Sequence, residues 1–199
     1  MKTPRFFGSR WSCARLGDEE FFRLIMGQSP PSSSYNKEGR GVPFFQGKAD
    51  FGELYPVPST FCTEPTRIAE PKDVLISVRA PVGPTNIADR RCGIGRGLAA
   101  IRCSAKVMPL FLLYVLRSVE EEISNSVRDQ GGGFTSIRRA QLASFEVPAP
   151  PLPEQTRIVT RVEQLTRGAN EARQICRQVL SELDAFVPAL LYKTFRGEL

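Results

Sequence analysis

Three groups of residues in this sequence could do chemistry: its thiols, one glycine cluster, and the cations and amides on its loops. The thiols are Cys13, Cys62, Cys92, Cys103 and Cys176. They form no C-x-x-C pair and there is no histidine, so neither a zinc site nor a disulfide framework is expected. They read as reduced thiols, buried or half-buried. The missing histidine also excludes Ser-His and Cys-His catalysis within these residues. The glycine cluster, Gly93-Ile-Gly-Arg-Gly97, is not a dinucleotide fingerprint. Its third glycine comes too early, and a strand pattern follows where a helix is required. A tight turn or bulge is the first reading; close approach of the backbone to a phosphate is the second. No catalytic residue, metal or cofactor is expected.

The cations say more. The net charge is +6 over 199 residues. From Pro153 onward seven Lys/Arg stand against six Asp/Glu, whereas the first 152 residues hold twenty against fifteen. The surplus lies in the part before Pro153 and suits a polyanionic partner such as nucleic acid. With 41% hydrophobic and 24% charged residues, the composition is that of a soluble globular domain. The longest apolar runs, Pro109–Leu116 and Phe186–Tyr192, are too short to span a bilayer. Met1–Cys13 has no apolar core of a signal peptide. The expectation is a cytoplasmic protein without a membrane partner.

The elements that must position these residues follow from periodicity and punctuation. Met1–Arg10 reads as a loose leader, Leu16-Gly17-Asp18 as a turn and Phe21–Ile25 as a strand or short helix. Gln28–Asn36 is polar and rich in breakers, so a loop. Its Ser-Pro-Pro-Ser string is faintly similar to the Asn-Pro-Pro-Tyr motif of adenine methyltransferases, but lacks both the amide and the aromatic ring. Val42–Gln46 is expected as a strand, with Gly47–Phe51 turning away from it. Val74–Val78, β-branched and entered through Pro71-Lys72-Asp73, is the best strand pattern; Arg79-Ala-Pro-Val-Gly83 is a rigid turn after it. Leu98–Arg102 is another strand. Pro109 to about Val127 reads as a helix with Leu110, Leu113, Leu116 or Tyr114, Ile123 and Val127 inward. Gln130–Gly133 is a breaker, Arg138–Leu142 one helical turn, and Ser144–Val147 a last strand. Pro148, Pro150, Pro151 and Pro153 form a stiff connector.

Beyond the connector lies a heptad seam. Ile158, Val162, Leu165, Ala169, Ala172, Cys176, Val179, Leu183 and Phe186 alternate in steps of four and three, which makes one narrow apolar stripe on a helix. Such a stripe calls for another helix of the same kind, and the small residues at its middle allow close approach. Pro153 suits the first helical position and Glu154 the positive end of the dipole. Pro188 should stop or kink the helix. Residues 154–187 would span roughly 50 Å at ~1.5 Å per residue. The domains are thus 1–152 and 153–199, and the fold class is α/β in the α+β sense: a mixed small-sheet domain followed by a long coiled-coil helix.

Several strings together are identifiable. Glu146-Val-Pro-Ala-Pro-Pro-Leu-Pro-Glu-Gln-Thr-Arg-Ile-Val159 resembles the junction between target recognition domain and conserved helix in specificity subunits of type I restriction–modification systems. Ala189-Leu-Leu-Tyr-Lys-Thr-Phe-Arg-Gly-Glu-Leu199 resembles the end of that helix. Gly27–Ser32, Tyr35-Asn36, Pro43–Lys48, Val78–Gly83 and Gly133–Ile137 resemble one class of target recognition domain. The resemblance covers about residue 11 to the end. It implies a non-catalytic reader of double-stranded DNA. Each such domain reads half of a bipartite site, and two antiparallel conserved helices hold two domains apart. Separate subunits methylate adenine and cleave. The sequence carries one domain and one helix where a full subunit carries two of each. A second copy of itself, or another half-length specificity chain, is therefore an expected partner, as is the modification subunit; a truncated fragment remains the third explanation.

The resemblance makes the loops of the domain the DNA-contacting parts. The Gln46 amide can bond adenine bidentately and an arginine can bond guanine. Lys48 lies two residues on. Arg79 leaves a core strand on a turn stiffened by Pro81, which suits a guanidinium aimed at guanine or phosphate. Tyr35, Lys37 and Arg40 belong to the polar loop. Thr135 and Ser136 follow the triple glycine, and Arg90, Arg91 and Arg96 are phosphate candidates. Two other readings compete: a fragment of a fused restriction/methyltransferase enzyme, and a coiled-coil scaffold that binds no DNA.

Overall fold

A computed structural model describes residues 11–128 and 136–197, without the side chains of 126–128 and 189. The leader Met1–Arg10, the breaker Gln130–Gly133 and Thr135 lie outside the described residues.

Eleven strands and four helices occur among them. The strands are β1 (Cys13–Arg15), β2 (Phe22–Met26), β3 (Tyr35–Asn36), β4 (Val42–Phe45), β5 (Phe61–Cys62), β6 (Ile68–Ala69), β7 (Val74–Ser77), β8 (Thr85–Ile87), β9 (Cys92–Ile94), β10 (Leu98–Cys103) and β11 (Glu146–Pro148). The helices are α1 (Pro109–Ser118), α2 (Glu120–Arg128), α3 (Arg139–Ala143) and α4 (Leu152–Phe195). The α+β class is as expected, with more and shorter strands. The expected loop Gln28–Asn36 holds a 3₁₀ turn at Ser32–Ser34 and the strand β3. The Ser34 hydroxyl donates to the Pro31 carbonyl at 2.6 Å, supplying the local side-chain bond that turns serine-rich segments.

Two sheets carry the domain. One has four strands in the order β2-β10-β7-β8, all antiparallel. The other has five, β3-β5-β4-β9-β6, with β4 and β9 parallel. Strands β1 and β11 pair separately. β7 is buried along its whole length, the pattern of a central strand covered on both faces. β2 alternates instead, with Phe22 and Leu24 buried and Arg23 exposed, as an edge strand with one buried face should. Phe45, Ala69, Cys92 and Ile94 of the larger sheet pack with Leu75, Leu98 and Ala100 of the smaller one.

Where one helix was expected over Pro109–Val127, two follow each other. Val119 interrupts them in a non-helical conformation, and its N–H donates to the Leu116 carbonyl in a tightened last turn. Glu120-Glu-Glu122 then occupies the first turn of α2, where the positive end of the dipole favours carboxylates. Leu113, Leu116 and Ile123 are fully buried, as expected.

The thiols divide. Cys62 and Cys92 are buried and Cys103 half-buried, but Cys13 and Cys176 are exposed, against expectation. Burial, with nearby carboxylates adding to it, pushes the Cys92 and Cys103 thiols up to about 12, so both are neutral packing groups near pH 7.

Chain contacts divide the molecule into residues 1–156 and 157–199. Gln155, fully buried in the first unit, fixes the start of α4. Its Oε1 accepts from the Met108 N–H (2.8 Å), and its Nε2 donates to the Lys106 (2.9 Å) and Pro150 (2.8 Å) carbonyls. The sequence reading singled out the prolines here and missed this amide. The helix starts at Leu152, so Pro153 is its second residue. Pro188 does not stop it: α4 runs 44 residues to Phe195, about 66 Å at ~1.5 Å per residue. A proline removes one backbone donor, and the other bonds of so long a helix carry it past the gap. Along the seam Leu165, Val179, Leu183 and Phe186 are 47–58% exposed.

Candidate nucleic-acid interface

The parallel pair β4 and β9 gives the sheet two distinguishable ends, and the candidate residues divide between them. Gln46 follows the last residue of β4, and Arg96 lies two residues beyond the end of β9. Arg40 precedes β4, and Arg90 and Arg91 precede β9, so these three lie toward the opposite end.

The Gln46 end is a junction of several chain segments. The Gly95 N–H donates to the Phe45 carbonyl at 2.8 Å, and Gln28 N–H to the Ile94 carbonyl at 3.0 Å. The Ser29 hydroxyl accepts from the Arg96 N–H at 3.2 Å. Gly97 presses against Gln46: a Cβ on Gly97 would fall 2.1 Å from the Gln46 carbonyl oxygen. The Gly97 carbonyl accepts from the Val78 N–H (2.9 Å), and the Val78 carbonyl accepts from the Ile137 N–H (2.9 Å). Arg79 and Ser136 form a backbone bridge beside it. This chain of bonds brings Gln46, Lys48, Arg79, Arg96 and Ser136 to one edge, and all five are exposed.

Local chemistry stiffens the edge. Asp50 Oδ2 accepts from the N–H groups of Gln46 (2.6 Å) and Gly47 (3.2 Å), closing the 3₁₀ turn Lys48–Asp50. The Ser77 hydroxyl donates to the Arg79 carbonyl at 3.0 Å, and the Gly83 N–H returns to the Ser77 carbonyl at 3.0 Å. The rigid turn expected at Arg79–Gly83 is present, with a cis Ala80–Pro81 bond. The tight turn expected of the glycine cluster is present: Arg96 and Gly97 form it, and the Leu98 N–H donates to the Gly95 carbonyl across it at 2.9 Å. Gly93 lies within β9, and Gly97 permits close backbone approach to Gln46. Sequence cannot show that partner, since it lies fifty-one residues away.

Charge distinguishes the two ends. Among the described residues Lys48, Arg79 and Arg96 have no ion-pair partner. At the opposite end Arg40 meets Glu38 (3.3 Å), Arg90 meets Asp89 (2.6 Å) and Arg91 meets Glu70 (3.7 Å). The Asp89 hydrogen bond raises the Arg90 guanidinium above its usual pKa. Lys37 shares with Arg40 a tight loop, clamped by the Asn36 side chain bonding both N–H and carbonyl of Arg40 at 2.9 Å. Tyr35 does not decorate that loop. Its ring stacks on Phe44 at 4.9 Å and its hydroxyl donates to the Pro30 carbonyl at 2.9 Å, so its position is explained by packing.

Two edge residues escaped the sequence reading. Gln28 is exposed beside Ser29 and Arg96, and Arg138 is exposed next to Ile137 at the start of α3. The signal for Gln28 was available: an amide adjoining the Ser-Pro-Pro-Ser string. Among the described residues no three His, Cys, Asp or Glu groups converge as metal ligands, and no helix is long and apolar enough to cross a membrane.

The family model for the type I restriction modification DNA specificity domain matches residues 9–179. A Methanocaldococcus jannaschii protein named "Putative type I restriction enzyme MjaX specificity subunit" is 48% identical over 158 residues, which are 78% of this chain and 36% of that protein. The crystal structure of the HsdS subunit from Thermoanaerobacter tengcongensis is similar with TM-score 0.78 and 45% identity over 97% of this chain and 46% of that one. A chain from a structure on complex assembly and conformational transition of the type I R-M system gives TM-score 0.85 and 44% identity over 99% of this chain and 49% of its own length. This chain thus spans about a third to a half of the length of these three relatives.

Proposed function

Because the chain belongs to the family of type I restriction modification DNA specificity domains, we propose that residues 1–152 read one half of a bipartite site in double-stranded DNA. Residues 153–199 then form the spacer helix that sets two readers apart and docks a modification (adenine methyltransferase) subunit. The family is a recognition component and not a catalyst. The reading places the work in the cytoplasm, where DNA and partner subunits are. One observation carries it: the cations Lys48, Arg79 and Arg96, with no ion-pair partner among the described residues, share an exposed edge with the Gln46 amide. An edge that offers both phosphate-binding cations and a bidentate amide fits a groove-reading surface.

Arg79 tests the reading. If it contacts a base, Arg79→Ala weakens binding to the cognate duplex by about 1–3 kcal/mol and relaxes discrimination at one position. If it meets only phosphate, binding weakens alike on all duplexes and the salt slope shrinks by about one unit. A selection of bound duplexes from a random pool, followed by salt titration, distinguishes the two. Binding unchanged on every duplex removes Arg79. A protein that binds no duplex at any salt would leave only the coiled-coil scaffold, and methylation without an added modification subunit would indicate a fragment of a fused enzyme.

The exposed seam supports helix pairing with a second copy or with another half-length specificity chain. For antiparallel pairing of identical copies, a crosslinker on Ile158→Cys should reach the Leu183–Phe186 end of the partner, while Ala169 and Ala172 cross near the middle. Crosslinking of position 158 to its own copy, with none to 183 or 186, would indicate a parallel pair and remove the spacer geometry.

A further inference from the structure

The two sheets end in strands that pair on one side only, β2 in the smaller and β6 in the larger. A groove of about 730 Å³ is lined by both. Its apolar part comes from Phe22, Leu24, Ile25, Met26 and Ile68, and four arginines stand around it: Arg23, Arg67, Arg102 and Arg139. Glu19 and Glu70 are its acidic members. Arg102 is already neutralised by Asp73, at 2.9 and 2.8 Å, and Glu70 is engaged by Arg91 at 3.7 Å. That leaves Arg23, Arg67 and Arg139 against Glu19, a cationic balance that calls for an anion.

The groove continues from the edge described above. Met26 leads directly into Gly27 and Gln28, and the Arg67 carbonyl accepts from the Ile94 N–H at 3.0 Å, two residues before Arg96. A duplex lying on the edge does not stop at the bases it presents, and its flanking phosphates need cations along its path. We infer that this groove holds the phosphodiester backbone of DNA beyond the bases read, with Arg23 and Arg67 as its phosphate contacts. The inference rests on the DNA-reading function proposed above. An acidic peptide strand added to a sheet edge is the rival occupant. The fold disfavours it: Arg139 Nη1 already donates to the Leu24 carbonyl on β2 at 3.0 Å, and β6 is only two residues long.

Arg23 and Arg67 are exposed and, among the described residues, have no ion-pair partner, so both can be replaced without cost to the core. The full chain is titrated with salt on a duplex of arbitrary sequence, about three helical turns long. For Arg23→Ala/Arg67→Ala the slope of log K against log salt should shrink by about two units, and Arg23→Lys/Arg67→Lys should restore it. An unchanged slope, with wild type binding in a salt-dependent way, overturns the inference and leaves the edge intact. A lysine pair that fails to restore the slope overturns it too, since charge is then not what was lost. A polyglutamate peptide that needs both arginines, with the duplex slope unmoved, assigns the groove to a protein and overturns it. A wild type that binds no duplex overturns the DNA-reading function itself.

Discussion

Gly97→Ala should destabilise the protein by about 3 kcal/mol, the upper end of overpacking costs, or roughly 6–12 °C in Tm for a chain of this size. If the edge reads DNA as proposed, it should also abolish selective duplex binding. The Cβ would fall 2.1 Å from the Gln46 carbonyl oxygen, far inside van der Waals contact. The obstacle is backbone and cannot swing aside as a side-chain tip would. Gln46 is itself held, through its N–H on Asp50 at 2.6 Å and through the Phe45 carbonyl accepting from Gly95 at 2.8 Å. Gly97 is equally held by the Val78 N–H at 2.9 Å. Relief must break one of these bonds, and each belongs to the edge that carries Gln46, Arg79 and Arg96. Gly47 is the internal control. Nothing lies within 4 Å of its Cβ position, and its φ of −177° is extended backbone, so Gly47→Ala should stay within about 0.5 kcal/mol. Thermal unfolding of the two variants checks this, and equal melting temperatures would remove the close approach as a constraint.

How much of this was legible follows from the range of the interactions that define each part. The long helix was read from its 3.5-residue repeat because that repeat is local. β7 was legible from its β-branched run, and the turn after it from Pro81 and Gly83. The short strands β3, β5, β6, β8 and β9 were not, since each has only two or three residues, too few to show a period of two. Cys62 and Phe61, for example, are strand only because Tyr35-Asn36 and Val42-Pro43 flank them on either side. Val119 escaped for another reason: between Ser118 and Glu120 there is no Gly or Pro to signal a break, and the interruption shows only in its backbone.

The candidate residues show the same limit. Sequence could nominate cations by their neighbours, as it did for Arg79 and Lys48. It could not separate them from Arg40, Arg90 and Arg91, whose acidic partners neutralise them. Asp89 and Glu38 are close in sequence and gave a hint, because an Asp-Arg or Glu-x-Arg pair can close on itself. Glu70, twenty-one residues from Arg91, gave none. The strongest addition from the fold is therefore spatial. It puts Gln46 and Arg79 in one ridge although thirty-three residues separate them, through a single glycine that touches both neighbourhoods.

Arg102→Met should cost about 3–5 kcal/mol, the range for leaving a buried charge without its partner. The pair it breaks is asymmetric. The Asp73 side chain is 3% exposed and that of Arg102 36%, so the arginine can turn to water and the carboxylate cannot. Two bonds, 2.9 and 2.8 Å, form a bidentate clamp between β10 and the residue that enters β7. The hydrogen bond to Asp73 raises the Arg102 guanidinium above its usual pKa, which keeps the clamp charged. Without Arg102 the carboxylate retains the Glu70 N–H at 2.8 Å, one donor for a full charge. Asp73→Asn in the wild-type background should cost less, because the exposed guanidinium hydrates and the amide oxygen still accepts from Glu70. The double variant Asp73→Asn/Arg102→Met removes both charges and keeps that bond, so it should recover to within about 1 kcal/mol of Asp73→Asn alone, a coupling of at least ~2 kcal/mol. Urea unfolding of the four proteins measures that coupling. Simple additivity would mean that Arg102 stabilises the sheet by packing its stem rather than by neutralising Asp73.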